Sequence, residues 1–89
     1  MTAAQRSAHD DLDNLRHMLG VRSHIPRRQW GYRNFFAASE TQIAQMERLV
    51  AAGYARKGIV SGSLTYYHVT EAGCHAIGLH KAAIKRAFE

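Results

Sequence analysis

The run LVAAGYARKGIVSGSLTYYHVTEAG, Leu49 to Gly73, constrains the fold more than any other part of the chain. Its apolar start, Leu49 and Val50, leads to Gly53, a residue suited to the left-handed conformation that closes a helix. Two segments rich in β-branched and aromatic residues follow, about 54–60 and 64–70. Ser61-Gly62-Ser63 between them is a credible hairpin turn. Alternation along the second segment puts Leu64, Tyr66 and His68 on one side and Thr65, Tyr67 and Val69 on the other. Val69-Thr70-Glu71-Ala72-Gly73 then opens another helix, with Thr70 as its cap. A helix, a two-stranded ribbon and a helix therefore form the expected core.

The flanking sequence adds to this frame. A first helix is predicted over Ser7–Leu19, where Leu12, Leu15, Met18 and Leu19 recur at helical spacing. Ser7 is placed as its cap, Asp10 and Asp11 in its first turn, and Gly20 at its end. Pro26 suits the first position of a short helix or turn near 26–31. Beyond it, Trp30, Tyr32, Phe35 and Phe36 are assigned to a compact segment that packs its rings into the core. Ser39-Glu40-Thr41-Gln42 has the form of a capping box at the head of a helix reaching Ala52. Ile43, Met46, Leu49 and Val50 are its buried face. The last helix is predicted to run unbroken from Glu71 to Phe88, with Ile77, Ile84 and Phe88 on one side and Lys81, Lys85 and Arg86 toward its end. The expectation is a single α+β, mostly α domain of 89 residues, with three or four helices and a two-stranded hairpin. A domain this size buries only about 60–65% of its unfolded surface, which leaves little room to enclose a large substrate.

Charge narrows the partners. The chain carries a net charge of +5. Arg16, Arg22, Arg27, Arg28 and Arg33 lie between Asn14 and Ser39 without an Asp or Glu among them. Such a segment favours a polyanion or an acidic protein surface, and is equally the solvated face of a basic protein. One cysteine, Cys74, allows no internal disulfide. No apolar run approaches the ~20 residues of a membrane span, and the first residues lack the apolar stretch of a signal peptide. A cytoplasmic setting is expected.

The phrase Leu49-Val50-Ala51-Ala52-Gly53-Tyr54-Ala55, followed by Tyr67-His68-Val69-Thr70-Glu71-Ala72-Gly73, resembles the recognition-helix end, wing and following helix of winged helix-turn-helix regulators. The likeness covers roughly the second half of the chain and rests on order and spacing. A broader set, Leu19-Gly20, Tyr32-Arg33-Asn34-Phe35, Leu49 to Gly53 and Val69 to Gly73, is similar to small proteins encoded in phages and prophages of Gram-negative bacteria. The resemblance implies a winged-helix-like fold and double-stranded DNA as partner. It also implies pairing into a homodimer through the terminal helix. One departure stands out. Where the family has a short apolar helix and a tight turn before the recognition helix, this chain has Arg27 to Ala38, with Trp30, Gly31 and the two Phe residues.

On a recognition helix spanning Ser39–Ala52, Thr41, Gln45 and Arg48 fall opposite the apolar stripe. Gln and Arg are the side chains that read adenine and guanine in the major groove. Arg56 and Lys57 on the wing, with Arg27, Arg28 and Arg33 before the helix, are candidate phosphate contacts. Glu40 and Glu47 on the same helix oppose phosphate, and an ordinary polar face accounts for the same residues. The aromatic residues beside arginines are also of the kind that stacks on unpaired bases. The six histidines and Cys74 show no zinc-site spacing, so no metal or cofactor is expected. Cys74 lies near a helix start that can lower a thiol pKa, but no base and oxyanion site accompany it. An enzyme is not expected. Three functions remain: a DNA-binding regulator, a protein-interaction module that inhibits a host protein or nucleoprotein complex in the manner of an anti-CRISPR, or a small structural or assembly component that packs through self-association.

Overall fold

The computed structural model describes residues 2–89, with the side chains of residues 3–8 outside that description. Among the described residues, four α-helices and a three-stranded antiparallel sheet make an α+β fold. In chain order these are α1 (Ala3–Met18), β1 (Phe36–Ala38), α2 (Ile43–Ala51), β2 (Ala55–Ser61), β3 (Leu64–Val69), α3 (Glu71–Ala76) and α4 (Lys81–Ala87). Single 3-10 turns at Arg27–Gln29 and Glu40–Gln42 precede β1 and α2. No helix among the described residues is long and apolar enough to cross a membrane.

α1 begins before Ser7, so Ser7 is an interior residue and not the cap; its side chain lies outside the described residues. Asp10 and Asp11 accordingly fall mid-helix. The apolar stripe holds: Leu15, Met18 and Leu19 are fully buried. The predicted Ser39–Gln42 capping box forms, but it heads the 3-10 turn Glu40–Gln42, and α2 proper starts only at Ile43. The Ser39 N–H donates to Gln42 Oε1 at 3.0 Å, so the Gln42 side chain reaches back over the helix start. Met46 and Leu49 are buried, with Ile43 and Val50 packed at the rim of the core. Gly53 closes the element with φ 81°.

The hairpin also forms as predicted, and β3 has the expected alternation, with Thr65, Tyr67 and Val69 buried and Leu64, Tyr66 and His68 half-exposed. The sheet differs in having a third strand. β1 pairs antiparallel with β3, Phe36 opposite Tyr67 and Ala38 opposite Thr65, which gives the order β1-β3-β2. Asn34 lengthens this pairing with its side chain. Its Nδ2 donates to Val69 O at 3.0 Å, and its Oδ1 accepts from Val69 N–H at 2.6 Å. β3 is thus central, and a bulge in β2 between Lys57 and Val60 accommodates the twist of the free edge.

Two further expectations fail. Trp30 and Phe36 pack against the core, but Tyr32 and Phe35 stay 53% and 45% exposed. The segment is an edge strand with a lead-in, and a strand sends alternate side chains outward. The single last helix is also two helices. Thr70 Oγ1 accepts from Gly73 N–H at 3.1 Å and caps α3 as expected, but Gly78 adopts φ 67° and turns the chain before α4. The turn lets both Leu79 and Ala83 reach the core, which a straight helix would not bring to the same side as Cys74.

The core carries two titratable groups. Burial, the Tyr67 OH donating to Glu47 Oε2 at 2.6 Å and the Glu47 charge push the Tyr67 phenol from 10.0 up to about 12. Burial, and the charge of Glu71 after it, push the Cys74 thiol from 9.0 up to about 11. Both groups hold their protons more tightly folded than unfolded. Their contribution is complete below pH 9 and is lost as pH rises through 9–11 for Cys74 and 10–12 for Tyr67. Denaturant midpoints from pH 8 to 12 should therefore fall on the alkaline side, with onset near pH 9. Cys74→Ala removes the earlier part of that fall and Tyr67→Phe the later part. An unchanged alkaline limb in both variants contradicts this assignment.

Candidate nucleic-acid interface

The helices take one face of the sheet. Ala38, Ala55, Tyr67 and Val69 are the strand residues that enter the hydrophobic cluster, and by register they all share that face. The other face carries Tyr66, His68 and Arg56, which lies opposite His68, with Phe35 at the head of β1 beside them. None of these four belongs to the core cluster or packs against it. The Phe35 and Tyr66 ring centroids are 6.2 Å apart. His68 Nδ1 lies 2.8 Å from Asn34 O; a carbonyl only accepts, so Nδ1 carries the proton.

The candidate residues divide into distinct settings. Thr41, in the 3-10 turn Glu40–Gln42 ahead of α2, is exposed and its Oγ1 is 3.2 Å from Ser39 Oγ, while Gln45 on α2 is half-buried. Arg48 is engaged: Nη2 donates to Asp11 Oδ1 at 2.9 Å and Nε to Oδ2 at 3.4 Å, which fastens α2 to α1. The hydrogen bond to the Asp11 carboxylate raises the Arg48 pKa above its ordinary value. Glu47 is likewise taken up by Tyr67. The two charged residues near the middle of the helix thus serve the fold.

Arg56 and Lys57 are both exposed and have no ion-pair partner among the described residues. They alternate along β2, so Arg56 stands on the open face and Lys57 on the helix-bearing side. Arg27 and Arg28 are exposed in their 3-10 turn. Burial, reinforced by the charges of Arg27 and Arg86, lowers the His80 pKa, which places α4's start beside that turn. Arg33 Nη2 donates to His17 O at 2.6 Å and satisfies a carbonyl at the end of α1. Its guanidinium lies 5.7 Å from the Tyr32 ring centroid. Burial and then the charges of Arg22 and Arg33 lower the His17 pKa. Two clusters of positive charge therefore flank the lead-in to β1.

The chain matches no protein-family model, no curated protein and no solved structure. The site is therefore read from its own geometry. Cys74 is fully buried with a raised pKa, because desolvation outweighs any help from the helix start. A buried thiol of this kind is not an activated nucleophile. Among the described residues no three His, Cys, Asp or Glu side chains gather to hold a metal.

Sequence reasoning missed Asn34, which holds the lead-in of β1 against the end of β3. The signal was available in part. A polar amide directly before a β-rich aromatic pair is suited to backbone pairing at a strand end.

Proposed function

We propose that the chain is a small nucleic-acid-binding module of winged-helix type, acting as a phage-type DNA-binding regulator without catalysis. The observation that carries this reading is the hairpin. It follows α2 directly, lies in a sheet of order β1-β3-β2, and presents Arg56 and Lys57 exposed and unpaired among the described residues. Arg27 and Arg28 supply two further exposed cations. Contacts to phosphate, which position a protein without reading sequence, suit these four residues. Arg48 serves in this scheme as the strut between α2 and α1, and base reading falls to Thr41 in the preceding 3-10 turn and Gln45 on α2.

Anisotropy titration of a labelled duplex across a range of salt tests the scheme. Four phosphate contacts give a slope of log K against log salt of about −3 to −4, and Arg56→Ala with Lys57→Ala flattens it by about 2. Arg48→Ala leaves the slope in place and lowers stability by roughly 0.2–1 kcal/mol, the range for an exposed pair. Absence of binding to any nucleic acid at low salt overturns the proposal.

A second reading, a protein-interaction module that inhibits a host complex, draws on Ile59 and Val60. These apolar residues are exposed together on β2 beside the bulge. A stable host-protein complex that survives nuclease and is lost in Ile59→Ser favours it.

A further inference from the structure

We infer that the open face of the sheet is a stacking platform for unpaired bases, so that the preferred ligand is single-stranded nucleic acid. This rests on the nucleic-acid reading above, keeps its Arg56 contact, and puts base stacking on the sheet in place of base reading by Thr41 and Gln45.

Three observations converge. Phe35 and Tyr66 form a ring pair on a sheet face that no helix covers, and Phe35 is 45% exposed. A lone exposed aromatic is ordinary, but an aromatic pair on the uncovered side of a half-buried sheet is a surface of apolar, polarizable character. Arg56 stands in the same row as His68, two strand spacings from Phe35, or roughly 10 Å at 4.7–4.9 Å per strand. Arg33 lies elsewhere, against the end of α1 beside the Tyr32 ring, so Arg56 is the cation that the register puts on the platform itself.

The third observation is charge segregation. All seven acids, Asp10, Asp11, Asp13, Glu40, Glu47, Glu71 and Glu89, lie outside the strands. Residues 54–70, which build the hairpin, contain no Asp or Glu at all. The platform thus has rings for bases and, in Arg56, a cation for a phosphate chain, with no acidic side chain contributed by its own strands. In a duplex the base faces are stacked on one another and out of reach. Only an unpaired strand offers them, and each stacked base contributes whatever its identity.

The test uses labelled oligonucleotides of about 12 nucleotides, a length that one small platform can track: oligo-dT, oligo-rU, and a mixed-sequence duplex. Wild type is expected to bind one or both single strands at least 10-fold more tightly than duplex. Phe35→Ala and Tyr66→Ala should each cost about 5- to 150-fold in single-strand affinity, the range for one base stacked on a ring. The salt slope should stay unchanged because no charge is removed. Phe35→Leu keeps an apolar side chain without a π face and should weaken binding as Phe35→Ala does. Tyr66→Phe should bind like wild type. The dT and rU arms separate DNA from RNA as the source of the strand. Wild-type single-strand affinity in a Phe35→Leu, Tyr66→Ala double variant with an unchanged melting temperature overturns the inference. So does a preference for duplex, which leaves the hairpin-cation reading intact. Failure to bind any of the three probes removes both, and a protein partner lost in Phe35→Leu under those conditions reassigns the face to protein.

Discussion

Tyr67→Ala is expected to remove a large part of the protein's stability. Tyr67 is fully buried at the centre of β3, facing Phe36 on one side and Lys57 on the other. It is the largest of the fully buried side chains. Truncating an aromatic in such a position costs about 3–5 kcal/mol, the lost transfer energy plus the cavity left behind. A domain of this size holds about 4–13 kcal/mol in total. The melting temperature should therefore drop by about 12–40 °C. Tyr67→Phe separates packing from polarity. It keeps the ring and loses only the bond to Glu47, whose carboxylate is exposed and turns to water, so a loss of about 1 kcal/mol is expected. Thermal melts of the two variants check the claim. A Tyr67→Ala protein melting within a few degrees of wild type would show that the sheet does not depend on this ring.

The same residue shows why so much of the fold was legible. Strict alternation from Leu64 to Val69 can satisfy one buried face in only one way, so the register of β3 follows from the pattern alone. The Ser39–Gln42 cap and the Gly53 stop were legible for a similar reason: each is a local device that works within a few residues. β1 was not legible because three residues, Phe36-Ala37-Ala38, carry too little pattern to distinguish a strand from a packed loop. What makes them a strand is the unpaired edge of β3, which lies about 30 residues away in sequence. The break at Gly78 was hidden by a run of apolar residues that fits a helix on either side of it.

The candidate site was less legible, because a charged residue's role depends on its neighbour across the fold. Arg48 has a spacing that suits an outward helix face, and nothing local reveals that Asp11 faces it. Arg33 sits in a basic run, yet one of its nitrogens is spent on the His17 carbonyl. Arg56 and Lys57 are adjacent in sequence but separated by the pleat. The lack of Asp and Glu in residues 54–70 is written in the sequence, but it gains meaning only once the register puts Arg56 and Tyr66 on one open face.

Gly73→Ala should destabilise the protein by about 2–3 kcal/mol, near the top of the range for overpacking a well-filled site, although the substitution improves helix propensity. In an open helix the change would gain about 1 kcal/mol. Here an added Cβ would lie 2.3 Å from Tyr54 O and 2.6 Å from Val69 Cγ1. Tyr54 O cannot move aside cheaply, since it accepts from Thr70 N–H at 3.0 Å while Thr70 Oγ1 donates to Gly53 O at 2.6 Å. Relief requires α3 to lift from the start of β2. That motion pulls Cys74 out of the core and loosens the end of β3, where Val69 grips Asn34. The glycine in Thr-Glu-Ala-Gly is therefore a close-contact residue, and Gly73→Val should cost still more. Because Asn34 sits between Arg33 and Phe35, the shift should also weaken single-strand binding at temperatures where the variant remains folded. A melting temperature raised by Gly73→Ala would mean that α3 does not dock as closely as the Tyr54 contact requires.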